Sequence, residues 1–248
     1  MAIKYSNHFL NQVIFQANYN VPVIKTEINA SLKNLCEEIT GQSLYIGKNT
    51  NINVAADQPV LSTVQNRYLF LGKEVQVVVQ GDFVQVINLK YTDYTHFHGI
   101  IEKVFNKVRE VYNPGFSRIA LRYTNNINFP DGSTFDFDGL IDESFLNCLL
   151  KFKDQGLARS VGQTFMTHED GDLSTLFTYG FSNSQFPGKI IKREFLLDFD
   201  CYRTYQEPNF NINSISEITL SIRNKVNELF EKSIGEKLRT LMHEEKII

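Results

Sequence analysis

Apolar residues recur along this chain with two spacings, one of two residues and one between three and four, and the two alternate in blocks. Residues 9–21 carry Val13, Ile14, Phe15, Ala17 and Tyr19 and predict a strand, ended at Pro22, which has no N–H for a ladder. Leu32, Leu35, Cys36 and Ile39 then repeat at helical spacing, with Asn29 as N-cap and Gly41 as stop. Residues 43–57 are polar and irregular and predict a loop or a short edge strand. Three runs rich in β-branched and aromatic residues follow at 60–64, 67–71 and 74–80. Gly81-Asp82 offers the positive φ of a tight hairpin turn, and from Phe83 apolar residues occupy both faces of what reads as a covered strand. Asp93 caps the next predicted helix, whose stripe is Phe97, Ile101, Val104, Val108 and Val111, ended by Asn113-Pro114-Gly115.

The second half opens on FSRIALRYTNNINF, residues 116–129, which predicts a central strand closing one half of the molecule and opening the other. An Asp131-Gly132 turn leads to a helix over about 142–153. Strands at 157–167 and 173–181 flank Asp170-Gly171, a hairpin signal, and a loop over 185–189 precedes a strand at 191–205. Ser214 and Glu217 make a capping box for one long closing helix lined by Ile215, Ile218, Ile222, Val226, Leu229, Ile234, Leu238 and Leu241. Gly235 inside it costs about 1 kcal/mol relative to Ala, which implies a close packing contact.

The halves 1–114 and 115–248 therefore share one element order, strand–helix–several strands–helix, without detectable similarity of sequence. The expected fold class is α+β: two pseudo-repeated lobes, packed as one globular unit, whose antiparallel sheets join through their first strands. The product is a curved sheet with helices on one face and an open second face. Each half resembles in topology the saddle-like fold of the TATA-binding protein, an analogy that carries no function.

Composition narrows the chemistry. The 248 residues bear a net charge of −3, so a domain-wide basic field for nucleic acid is absent and only a local patch could serve one. Twenty Phe and no Trp point to a dry core, since Phe has no polar atom to satisfy. Cys36, Cys148 and Cys201 sit among apolar neighbours and read as buried, reduced thiols of a cytoplasmic protein. No Cys-x-x-Cys or His-x-x-x-His spacing suggests zinc. No signal peptide or apolar run of the ~20 residues needed to span a bilayer is present, so no membrane is expected.

Two strands carry residues foreign to an ordinary core strand. Arg118, Ala120 and Arg122 share one face of 118–123, with Asn125 and Asn126 just beyond, and Leu196, Asp198, Asp200 and Tyr202 share one face of 195–205. Facing arginines and aspartates form guanidinium–carboxylate pairs that fix strand register. The same set also reads as a ligand site (Arg118, Arg122, Asn125, Asp198, Asp200 and Tyr202), with arginines for a phosphate or carboxylate, or aspartates for a divalent cation. His96 and His98 read as surface side chains. The acidic run Asp131, Asp136, Asp138, Asp142 and Glu143 reads as a solvated loop ending in an N-cap, and Lys189, Lys192 and Arg193 as a solvated basic face. No Walker loop, dinucleotide fingerprint or Gly-x-Ser-x-Gly motif occurs, and no catalytic residue, metal ligand or cofactor is assigned.

The segments FLNQVIFQANY, RIALRYTNNI, LLDFDCY and NELFEKSIGEKLR, with Phe230, Ile234 and Leu238, resemble a sporadically distributed family of uncharacterised prokaryotic proteins of about this length. The resemblance covers nearly the whole chain. It implies the element order above and supplies no activity or catalytic residue. The patchy distribution implies an accessory gene, such as a component of an antiphage-defence or toxin–antitoxin type system. Three functions remain in order of expectation. The first is a non-enzymatic binding or regulatory protein that holds a protein partner, or itself, on the open sheet face or the long terminal helix. Next comes a nucleotide or small-ligand sensor using Arg118 and Arg122. The last is a metal-dependent hydrolase or nuclease centred on Asp198 and Asp200.

Overall fold

The computed structural model describes residues 2–5, 8–24, 27–53, 61–168, 173–209, 212 and 214–247. In chain order the elements are β1 (Ala2–Tyr5), β2 (Leu10–Tyr19), α1 (Ala30–Thr40), β3 (Tyr45–Asn53), β4 (Leu61–Leu71), β5 (Val75–Gln80), β6 (Phe83–Asn88) and α2 (Tyr94–Tyr112). They continue with β7 (Phe116–Phe129), α3 (Glu143–Leu149), β8 (Ser160–Thr167), β9 (Ser174–Phe181), β10 (Arg193–Asn209), α4 (Ile215–Ser233), α5 (Glu236–Leu241) and β11 (Glu244–Ile247). The fold is mixed α+β, built on an antiparallel nine-stranded sheet of order β3-β4-β5-β6-β2-β7-β10-β9-β8. β7 lies between β2 and β10, as its central placement in the sequence predicts. β1 and β11 pair separately, with Tyr5 opposite Glu244.

The chain divides into two compact units, each assembled from separate stretches. One comprises Gln12–Leu121 and Tyr202–Leu220. Its α1 begins where Asn29 Oδ1 accepts from the Ser31 and Leu32 amides, at 2.9 and 3.4 Å, and ends at Gly41, whose φ of 64° suits a residue without Cβ. Asp93 caps α2 by accepting from the His96 amide at 2.9 Å. The helix ends in a left-handed Asn113 (φ 41°) whose N–H returns to the Arg109 carbonyl, so a backbone reversal stops it one residue before Pro114. Phe97, Ile101, Val104, Phe105 and Val108 are sealed beneath it. Phe105 stacks on Phe116 at 4.8 Å and meets the edge of Phe15 at 6.3 Å.

Three expectations change within this unit. The stretch predicted as a loop or short edge strand is a nine-residue strand, β3, at the end of the sheet, in register with β4 from Tyr45 opposite Leu69 to Asn53 opposite Leu61. The separate runs 60–64 and 67–71 are one strand, β4, because both lie against β3; residues 54–60 fall outside those described. The β5–β6 hairpin forms, but Gly81 does not take a positive φ. The last cross-strand pair is Val79 with Val84, so four residues make the connection; Gln80 pairs outward with Arg67 and Phe83 with Asn18. β6 is buried on one face only, by Val84, Val86 and Asn88, and stops where the Asn88 side chain accepts from the Lys90 amide at 2.9 Å.

The other unit comprises Met1–Asn11, Arg122–Cys201 and Ser221–Ile248. Phenylalanine fills its interior: Phe177 stacks on Phe199 at 4.4 Å, and Phe137, Phe181 and Phe195 meet at 5.1–5.7 Å. Gly132 takes the positive φ (97°) expected of its turn. β8 and β9 pair from Ser160 opposite Phe181 to Thr167 opposite Ser174, while the Asp170-Gly171 turn between them lies outside the described residues. Asp142 caps α3, which ends at Leu149; Lys153–Gln155 form a separate 3-10 turn closed by Gly156 (φ 75°).

The closing helix is two helices. Ser214 accepts from the Glu217 amide at 3.2 Å, as the capping box predicts, yet α4 stops at Ser233. There Ile234 bridges to Ile141 and the Gly235 amide donates to the Leu140 carbonyl at 2.9 Å before α5 begins. A Cβ on Gly235 would stand 2.2 Å from the Gly139 carbonyl oxygen, which is the close contact this glycine implied. Backbone hydrogen bonding to the 139–142 segment thus replaces one turn of helix. The break is locked by Arg239, which donates to the Glu231 and Ile234 carbonyls and pairs with the Glu231 carboxylate.

Gly235→Ala is the test of that break. A residue inside a continuous helix would gain about 1 kcal/mol from this change. Here we expect a loss of about 1–3 kcal/mol in urea unfolding, because the methyl displaces packed backbone.

Candidate functional site

Alternation along β7 and β10 sorts their side chains onto two surfaces. Ile119, Leu121, Tyr123 and Ile127 of β7 and Phe195, Leu197, Phe199 and Cys201 of β10 are buried. The alternate positions carry Arg118, Arg122, Thr124 and Asn126, and Leu196, Asp198, Asp200 and Tyr202. Within the unit that contains them, Arg122 and Asp198 close a two-pronged pair. Arg122 Nε donates to Asp198 Oδ1 at 2.8 Å and Nη2 to Oδ2 at 2.5 Å. Thr124 Oγ1 adds a bond to Oδ1 at 3.2 Å. The partners differ in exposure, the Asp198 side chain retaining 8% and that of Arg122 48%. Hydrogen bonding to Asp198 raises the guanidinium above its ordinary range, burial opposes this, and the charges of Asp198 and Asp200 add to it.

The predicted site residues do not all share one surface. Asn125 is buried and gives its amide to the Leu197 carbonyl at 3.4 Å, on the side of β7 opposite Arg122 by strand alternation. In the other unit, the Arg118 guanidinium carbon lies over the Tyr202 ring, 4.2 Å from its centroid, a cation–π contact. That unit also holds a set of amides that the sequence reading did not single out. Gln85 donates to Gln16 at 2.5 Å, Gln16 to Asn18 at 2.8 Å, and Gln80 to Gln65 at 2.9 Å. The available signal was the alternation of Gln16 and Asn18 with buried Phe15, Ala17 and Tyr19.

Several lesser candidates resolve into structural roles. Arg193 is no part of a solvated basic face: it donates to the Asp136 and Asp131 carbonyls at 2.8 and 3.3 Å and covers Phe129 at 4.6 Å. Asp142 caps α3, as expected. His98 is not a surface side chain; it packs against Tyr94, and its Nδ1 lies 3.7 Å from Glu102, which accepts from Ser216 Oγ at 2.6 Å. Cys36 and Cys201 are buried, whereas Cys148 is exposed. Burial first, and the Glu37 charge second, push the Cys36 thiol up to about 12, so it stays protonated.

A second charged constellation lies where the end of β8 meets α4. Lys225, Glu228 and Lys232 fall on one helical stripe, and Glu228 accepts from both lysines, at 2.8 and 2.7 Å. Those bonds lower the Glu228 carboxyl to about 2. Among the described residues, no group of three or more His, Cys, Asp and Glu side chains is placed to hold a metal ion. No helix among them is long and apolar enough to cross a membrane. No known protein-family model matches the chain, and no curated protein is significantly similar to it.

Two outcomes are expected. Arg122→Met strands a buried carboxylate and should cost about 3 kcal/mol in urea unfolding, whereas Asp198→Asn leaves a half-exposed guanidinium to water and should cost nearer ~1 kcal/mol. The Glu228 carboxyl is depressed, so its contribution is complete above its ordinary 4.5 and declines as pH falls toward about 2. Carbon-detected NMR titration should place its midpoint in that acid range, and Lys232→Met should raise it.

Proposed function

We propose that the protein is a non-enzymatic binding protein that holds a polypeptide partner, or a second copy of itself, on the polar surface of β7 and β10. The observation that carries this reading is the Arg122–Asp198 pair. Its guanidinium is half exposed but held rigidly by two hydrogen bonds, and its charge is opposed by Asp198 and again by Asp200. A phosphate approaching Arg122 meets that neighbouring negative charge, which weakens the nucleotide-sensor alternative. Both Asp198 oxygens accept from the guanidinium, which likewise weakens a role for Asp198 as metal ligand or catalytic base. Backbone and neutral side chains of a polypeptide need donors and acceptors without net charge, and Arg122, Thr124 and Asn126 supply them.

The order β2–α1–β3 to β6–α2, followed by β7–α3–β8 to β10–α4, supports a reading of the architecture as two repeats in the manner of the TATA-binding protein saddle. Free thiols at Cys36, Cys148 and Cys201 fit a reducing compartment, which supports the cytoplasm as its location.

A photo-crosslinking residue at Asn126 should capture one defined partner in the native cells, while the same residue at Lys103 of α2 should not. Arg122→Lys, which keeps a positive donor beside Asp198 but loses the two-pronged geometry, should weaken that capture while circular dichroism stays native. Recovery of a solitary monomer from every preparation would defeat the proposal, and a rise in melting temperature with nucleotide would favour the sensor.

A further inference from the structure

Between the end of β8 and the stripe of α4 lies an open groove of ≈ 660 Å³ lined by Met166, His168, Lys225, Glu228, Leu229 and Lys232. That volume falls among sites that take small molecules rather than among the flat surfaces that take proteins. The walls combine two chemistries. Met166 and Leu229 are apolar, and Met adapts its shape to irregular apolar guests. The polar side holds two ammonium groups and one carboxylate, a net charge of one positive, counting +2 from Lys225 and Lys232 and −1 from Glu228.

The three charges are hydrogen-bonded to one another. Glu228 bonds both lysines and stays ionised at any pH near neutrality, so these three side chains together carry one positive charge. His168 is anchored beside them by a 2.9 Å bond between Nε2 and the fully buried Thr175 hydroxyl. Lys232 is the adaptable member. Its side chain is 70% exposed, and its ammonium has three hydrogens, of which the Glu228 bond takes one.

We propose that this groove binds an amphipathic monoanion, a small carboxylate with an apolar body. The carboxylate meets Lys232 beside Lys225, and the body lies against Leu229 and Met166. Glu228 sets the selectivity. It cancels one of the two positive charges, so a single negative charge is neutralised in the groove, whereas a dianion such as phosphate would give up water and keep one charge unpaired beside the Glu228 carboxylate. An apolar molecule without charge leaves the ammonium groups unpaired with it, and a cation is refused.

Titration calorimetry on the full chain with hexanoate, acetate, hexanamide and inorganic phosphate separates these terms. Hexanoate should bind at least about tenfold more tightly than the other three, and methyl NMR should show the Met166 and Leu229 signals moving with it. Lys232→Met should weaken hexanoate binding about tenfold, Lys232→Arg should retain it, and Glu228→Gln should strengthen it and admit phosphate. Lys232→Met gives up one exposed ion pair, so its melting temperature should fall only slightly, which separates a change at the site from unfolding. Hexanoate binding no tighter than acetate overturns the proposal. So does an unaffected Lys232→Met variant, or weaker binding in Glu228→Gln.

Discussion

A carboxylate shielded from water needs donors, and the pairing of β7 with β10 is arranged around that constraint. Asp198 lies almost wholly out of water on β10 and accepts the two-pronged donation from Arg122, with Thr124 behind it. The pair therefore acts as a register pin. A one-residue slip of β10 along β7 would part the prongs and at the same time turn Leu197, Phe199 and Cys201 toward solvent. Few single contacts penalise an alternative pairing on both faces of a strand at once.

The buried side of these strands is packed with the opposite material. Phe199 lies flat on Phe177, and Phe181 and Phe195 wedge around Phe137, all without a polar atom to satisfy. Rings of one shape that stack and meet edge to face fill such a space densely and leave no unpaired group behind. The alternate positions of the same strands carry Arg122, Thr124 and Asp198, joined to one another by hydrogen bonds.

The second constraint is a close approach of two backbones. Gly235 and Gly139 come so near that neither a side chain nor a continuous helix fits between them. The interruption lets Arg239 of α5 turn back on Glu231 of α4, while Tyr5 of β1 donates to the same glutamate at 2.7 Å. One glycine thus changes the direction of the chain, and one arginine holds the change.

Local chemistry was enough to determine much of this molecule. Asn29 and Asp93 begin helices because their short side chains reach free amides two or three residues on, and no tertiary partner alters that. The apolar stripe of α2 and the alternation of β7 and β10 likewise state which sides are buried, and the Arg/Asp spacing foretold that Arg122 would find an aspartate. What the sequence left open was decided at a distance. β3 is an edge strand because β4 supplies its hydrogen bonds, where its own composition left loop and short edge strand both open. The break at Gly235 depends on carbonyls about a hundred residues earlier in the chain, and the groove at Lys225, Glu228 and Lys232 exists only because the end of β8 is brought against α4. Periodicity records what a residue does within its own element, whereas pairing, close approach and enclosure are properties of two elements together, and only folding brings the second one near.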